Sequence, residues 1–314
     1  MHIDVPMAFG GLIVGVIVGL TGMGGGALMT PMLMVVFGVQ PLAAVSSDLV
    51  ASAVMKPVGS LVHLRRGTVH LGMVKWLCVG SVPSAFCGVL ITRALGDGDG
   101  VQQVVKIAMG VALLVAATMM VLKSYLGLRA RTRAPQGETA AQEGAVATEE
   151  PVSVRPLPTV LVGIVGGLIV GMTSVGSGSL IIVALLLMYP LLPAGKLVGT
   201  DLVQAVPLVA AAALGHLLFG DFHLSVTLSL LIGCVPGAYI GARLSSRAPS
   251  GVIRWALTVV LVASGLKMFD LDAYLIGGIT LAAAVLGSAG WMAARRIHGL
   301  PVVARPERSP ASSR

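Results

Sequence analysis

Residues 15–31, GVIVGLTGMGGGALMTP, and residues 167–183, GLIVGMTSVGSGSLIIV, decide how this chain is organised. Each starts as an apolar run, breaks at a cluster of glycine or glycine and serine, and resumes as a second apolar run. They align at an offset of 152, pairing Gly15 with Gly167, Gly19 with Gly171, Thr21 with Thr173, Gly24 with Gly176, Gly26 with Gly178 and Leu28 with Leu180. A helix that stops at such a break and restarts leaves backbone N–H groups unpaired at its new N-terminus, a setting that suits an anion. Irregular backbone at membrane depth is tolerated only where protein buries it or a cavity is lined by it. Paired breaks at equivalent repeat positions therefore point to the central site of a transporter. The competing reading is that these glycines only let helices approach closely.

Beyond the breaks the repeat continues at an offset of 153. Asp48 pairs with Asp201, Leu49 with Leu202, His63 with His216, Gly67 with Gly220, His70 with His223, Gly80 with Gly233, Pro83 with Pro236 and Gly88 with Gly241. This many matches in register mark a duplication. The solvent for most of the chain is a bilayer: 56% of the 314 residues are hydrophobic, only 11% are charged, and the mean hydropathy is +0.94. A soluble domain carries about 25% charged residues.

The apolar segments fall at 6–22, 27–38, 41–64, 71–95 and 100–126 in the first half, and at 157–173, 178–190, 194–218, 223–245 and 250–268 in the second, with an extra one at 273–295. This divides the chain into a first membrane repeat (1–126), a polar flexible linker (127–156), a second repeat (157–268), an additional C-terminal transmembrane helix (269–299) and a disordered tail (300–314). The fold class is all-α and integral to the membrane. The net charge of +8 lies between apolar segments, which reads as topology signal and not as a nucleic-acid surface. Loops with Arg65 and Arg66, with Arg129, Arg131 and Arg133, with Arg243, Arg247 and Arg254, and with Arg295 and Arg296 are expected on the cytoplasmic side, together with the linker and C-terminus. Loops with Asp97 and Asp99, with Asp221, and with Asp270 and Asp272 are expected outside. The Arg65/Arg66 loop and its repeat-mate then lie on opposite sides, so the two repeats are inverted, and each glycine-broken stretch must be two short helices or a re-entrant hairpin.

Ionisable groups in apolar segments are costly and usually functional. Asp48, Lys56 and Asp201 qualify, with His63 and His216 nearer the ends of matching segments. Asp48 and Lys56 lie about two turns apart on one helix face, about 12 Å by helical rise. Lys56 has a neutral counterpart near Pro207 or Val209, so it breaks the pseudo-symmetry and suits an anion contact or a counter-ion to an aspartate; a structural ion pair is the plain alternative. For the histidines a helix-end hydrogen bond stands beside a proton relay. Candidate substrate contacts are Gly24, Gly25, Gly26 and Ala27, Gly176, Ser177, Gly178 and Ser179, and Lys56; Asp48, Asp201, His63 and His216 are the candidates for proton coupling or charge tuning. Cys78, Cys87 and Cys234 lack metal-ligand spacing and read as free buried thiols.

The run G-x-x-x-G-x-x-G-x-G-G-G from Gly15, then Pro31, Ser47-Asp48-Leu49, His63, Arg66-Gly67 and Gly80-x-x-Pro83, is echoed by Gly199-Thr200-Asp201-Leu202, Gly215-His216, Gly220 and Gly233-x-x-Pro236-Gly237. This pattern resembles the sulfite exporter TauE/SafE family of membrane permeases over nearly all of both halves. The resemblance implies transport of sulfite or an organosulfur acid such as sulfoacetate across the cell membrane, coupled to an ion gradient. A passive anion channel of the same architecture, or a permease for another small solute, is the alternative. No HExxH, GxSxG or paired Cys/His ligand set is present, so no catalytic residue, metal or cofactor is assigned and an enzyme is not expected. The expected partners are the small anion and the bilayer, and a homodimer is compatible with the sequence.

Overall fold

The computed structural model describes residues 4–21, 25–96, 98–133, 154–190, 192, 194–220, 222–244 and 250–297. Among them the chain forms α1 (Val5–Thr21), α2 (Gly26–Val35), α3 (Pro41–Arg65), α4 (Leu71–Ala94), α5 (Asp99–Arg133), α6 (Pro156–Thr173), α7 (Leu180–Met188), α8 (Ala194–Phe219), α9 (Leu224–Leu244), α10 (Ser250–Lys267) and α11 (Ala273–Ile297), with no strand. The all-α membrane fold expected from composition is what is observed: α3, α4, α5, α6, α8, α9 and α11 are long and apolar enough to cross a bilayer. At 10 and 9 residues, α2 and α7 are about 15 Å and 14 Å long, half a hydrocarbon core.

Both glycine-broken stretches fold back on themselves. In the second, the Tyr189 hydroxyl at the far end of α7 lies 2.7 Å from the Thr159 hydroxyl and accepts from the Arg155 N–H at 2.9 Å, so α7 ends where α6 begins. In the first, a β-carbon on Gly10 would stand 2.9 Å from the Met32 sulfur and 3.2 Å from the Phe37 ring, so the end of α2 returns to the start of α1. Each hairpin places its break at its tip.

The two halves are interlocked. α1 packs chiefly on α9, and its repeat-mate α6 chiefly on α4, the mate of α9. Equivalent atoms make the contacts: a β-carbon on Gly233 would lie 1.8 Å from the Ala8 carbonyl oxygen, and on Gly80 2.3 Å from that of Val160; on Gly241 it would meet the Val16 oxygen at 2.1 Å, and on Gly88 that of Leu168 at 2.9 Å. These numbers rise together along both members of each pair, so α1 runs parallel to α9 and α4 parallel to α6. Backbones this close need glycine, because no hydrophobic drive between helices exists in lipid and van der Waals contact must supply the association.

At the centre α3 and α8 cross antiparallel, with Ser46 opposite His216, Ser60 opposite Leu202 and His63 opposite Gly199. α5 and α10 pair beside them, joined at one end by a 2.5 Å ion pair from Lys106 to Asp270. α5 extends to Arg133, past the rise in polarity at Gly127. α11 touches α10 and is otherwise open to the surroundings. Of the three free cysteines only Cys234 is buried; Cys78 is half-buried and Cys87 exposed, which corrects the expectation that all three are interior. In lipid the outer face of a helix is as apolar as its core, so hydropathy could not distinguish the two sides of α4.

Candidate functional site

The hairpin tips meet in the middle of the molecule. Gly26, the first residue of α2, packs so tightly on the second tip that a β-carbon there would lie 1.9 Å from the Ser174 carbonyl oxygen. Ser174 itself ends α6 in the left-handed conformation, φ 59°, and Gly176 and Gly178 follow with φ of 124° and 104°, so the second tip turns through three positive-φ residues. Gly24 lies outside the described residues.

Against these tips stand the ionisable side chains. Asp48, fully buried on α3, accepts from the Thr30 hydroxyl of α2 at 2.8 Å, the Ser174 hydroxyl of the second tip at 2.6 Å and the Ser52 hydroxyl one turn along α3 at 3.4 Å. Its carboxylate faces the start of α2, with the β-position of Gly25 3.4 Å from Oδ1. Asp201, 1% exposed on α8, accepts from the Gln204 amide at 3.1 Å and from the Gly178 backbone N–H. The second break thus gives a backbone N–H to the aspartate of its own repeat, while the first sets Gly25 beside Asp48, whose hydrogen bonds come from side-chain hydroxyls. Gln204 in turn accepts from Ser81 of α4 at 3.1 Å.

Lys56 lies between the acids. Its ammonium donates to the Ser177 hydroxyl at the second tip and interacts electrostatically with Asp201 and, more weakly, with Asp48. The register of α3 against α8 puts the midpoint of the repeat near Val54 and Met55, about 2 Å in rise from Lys56, whereas Asp48 and Asp201 lie about 20 Å apart along the helix pair. Ser177 holds this charge and Ser179 is buried two residues on; their repeat-mates are Gly25 and Ala27, so hydroxyls at the tip occur in one of the two repeats only.

The histidines differ. His216 is fully buried and ties three elements together: one ring nitrogen is 2.9 Å from the Gly171 carbonyl of α6 and the other 2.9 Å from the Ser46 hydroxyl of α3. His63 is half-buried at the end of α3, 2.9 Å from the Thr68 hydroxyl, and stands apart from the acids. Sequence reading missed Thr30, Ser52, Ser81 and Gln204, because hydroxyls and amides in apolar helices give no signal until a tertiary partner is known, and it gave Ser174, at the start of the second break, no role. Ser47, beside Asp48, has a buried hydroxyl without a hydrogen-bond partner among the described residues. No group of metal-ligating side chains occurs among the described residues.

A multi-pass helical bundle whose centre holds charged side chains at the tips of two broken hairpins is a membrane transporter in its build. Residues 7–268 match the family described as sulfite exporter TauE/SafE, and the chain belongs to that family. It is 34% identical over 259 residues to the "Probable membrane transporter protein YjnA" of Bacillus subtilis (strain 168), covering 82% of this chain and 96% of that one. A "Probable membrane transporter protein" of Xylella fastidiosa (strain Temecula1 / ATCC 700964) is 27% identical over 245 residues, 77% of this chain and 85% of that one. The B. subtilis (strain 168) protein "Probable membrane transporter protein YdhB" is 22% identical over 258 residues, 82% of this chain and 96% of that one. No solved structure matches the chain at a significant level. The helix α11 lies beyond the family match.

Proposed function

We propose that this chain is a secondary transporter whose two repeats are inverted in the membrane, and that a small anion, sulfite or an organosulfur acid such as sulfoacetate, binds at Lys56 between the hairpin tips with protons as the coupling ion. The observation that carries this reading is Lys56 itself: a lysine 8% exposed, near the midpoint of the bundle, held by a serine on a broken hairpin and flanked by two buried acids. Lys56, the Ser177 and Ser179 hydroxyls and the backbone N–H groups at Gly25–Ala27 and Gly176–Ser177 supply the donors an oxyanion needs. Asp48 and Asp201 carry protons, and His216 holds the α6 end of the second hairpin in place.

Inversion has its own support. Each hairpin returns to the side it left, α3 and α8 each lead through a short turn into the next helix, and α1 runs parallel to α9. The mate of α9 is α4, so the chain directions put α4 and α9 opposite. The charges lean the same way: Arg65, Arg66, Arg155, Lys196 and Arg243 fall at one end of the bundle, and Asp4, Asp99, Asp270 and Asp272 at the other, where Arg93, Lys106 and Lys267 also stand.

The test is flux of labelled sulfite, and separately of sulfoacetate, into proteoliposomes with and without a pH gradient. Gradient-driven flux is expected in the wild type and should fall on the order of tenfold or more in Lys56→Gln, the loss of about 1.4 kcal/mol or more of charge-assisted contact. Flux that ignores the gradient would identify a passive channel. Absence of flux for both anions would remove the substrate class.

A further inference from the structure

We infer that transport is electroneutral, each singly charged anion that binds at Lys56 being accompanied by one proton taken up by Asp48 or Asp201. The inference rests on the transporter reading and specifies its stoichiometry. It follows from the charges enclosed at the centre and from what surrounds them. A charge removed from water must be matched nearby, since an uncompensated one costs several kcal/mol or shifts to its neutral form. Asp48 and Asp201 are 0% and 1% exposed, and Lys56 8%.

Among the described residues, the groups facing them from each packed element are otherwise uncharged, with one exception. Thr30 comes from α2, Ser52 from α3, Ser174 and the Gly178 N–H from the second tip, and Gln204 from α8 with Ser81 of α4 behind it. From α9 the Cys234 thiol senses Asp48. His216 has both ring nitrogens engaged by Ser46 and the Gly171 carbonyl. The exception is Lys123 of α5, a partly exposed cation whose charge reaches Asp201 less strongly than that of Lys56.

Two carboxylates against the Lys56 ammonium leave one negative charge, so the empty centre is neutral with one proton on an acid. A bound monovalent anion adds a second negative charge, and neutrality then needs a second proton. Counting Lys123 lowers both figures by one and leaves their difference at one proton per anion. The proton enters a carboxylate oxygen from the side on which the anion binds, and both depart together on the other; no bond within the anion forms or breaks. Lys56 keeps its proton throughout and is the charge the anion replaces a carboxylate against. The second repeat supplies no equivalent lysine, Val209 standing at the matching position, so the centre has one such cation for one anion.

The experiment uses the full chain in proteoliposomes with labelled sulfite at a fixed pH gradient, both sides being acidic enough that the singly charged hydrogensulfite is the form present, and the membrane potential being set with potassium and valinomycin. The accumulation ratio is expected to stay constant as the potential is stepped, where a cycle moving one net charge would change it tenfold for each about 59 mV. The double variant Asp48→Asn/Asp201→Asn, left with Lys56 alone, should lose accumulation driven by the pH gradient and follow the potential instead. Wild-type accumulation that follows the potential while still requiring the pH gradient would overturn the stoichiometry and leave the transporter standing. Absence of sulfite flux in the wild type would overturn both. If the double variant does not assemble, the wild-type measurement decides alone.

Discussion

Gly26 has no room for a side chain. Its β-position points at the Ser174 carbonyl, which is backbone and is pinned by the left-handed turn of the second tip, so it cannot swing aside. Gly26→Ala should therefore destabilise the protein by about 3 kcal/mol or more through overpacking, read as a lower midpoint in a detergent melt, and should separate the tips. Gly59→Ala on α3 is the control: open space lies beyond it, and the added methyl favours the helix, so the midpoint should hold or rise slightly. At this scale the sequence was partly legible. Asp48, Lys56 and Asp201 stand out because charge in an apolar segment is rare, and the structure brings all three to the hairpin tips. His63 and His216, a matched pair in sequence, part company because one sits at a helix end and the other is enclosed by α3 and α6. Thr30 and Ser52 were invisible for a physical reason. Hydroxyls in apolar helices ordinarily bond back to the preceding turn, as Thr21 does to Ile17 and Thr173 to Ile169, and nothing local distinguishes the ones that reach Asp48 instead.

The helix pairs α1 with α9 and α4 with α6 repeat the same contact twice, so damage to one should resemble damage to the other. Gly233→Ala drives a methyl into the Ala8 carbonyl, and Gly80→Ala drives one into that of Val160. Both should lower the melting midpoint, each by about 1–3 kcal/mol, while Gly277→Ala on α11, where nothing lies near, should not. A drop in only one of the pair would mean the halves do not share this packing. The existence of these helices follows from apolar runs and their spacing. Whether α2 and α7 cross or return does not, because a half-length helix satisfies either parity; the contact from Tyr189 back to Thr159 and Arg155 decides it, and that contact joins residues 30 and more apart in sequence. Beyond Leu126, α5 continues as GLRARTR, rich in good helix formers, so its polarity marks the end of the apolar core and not the end of the helix.

Across the whole molecule, hydrogen bonds and the acids outside the centre sort by end among the described residues, while basic residues stand at both. The start of α1 meets the start of α9 through Asp4 and Ser229, the start of α3 meets the start of α5 through Leu42 and Gln102, and the first residue before α4 meets α8 through His70 and Thr200. The first two contacts share the end that carries Asp99 and Asp270, and the third lies at the opposite end with Arg65, Arg66 and Lys196. The end holding these basic residues is the one the positive-inside rule assigns to the cytoplasm. In the inverted arrangement proposed above, both repeats run from opposite faces to the same central pair α3 and α8, with Asp48 nearer the outer side, Asp201 nearer the inner side and Lys56 between them. The proposed alternating site then has one acid toward each face of the membrane and one cation between them. Reporter fusions following Arg66, and separately between Phe219 and Leu224, measure it directly. The expected outcome is opposite locations, cytoplasmic for the first and external for the second; a shared location would sink the inversion and with it the assignment of one acid to each face, while leaving the tip contacts at Asp48 and Lys56 untouched.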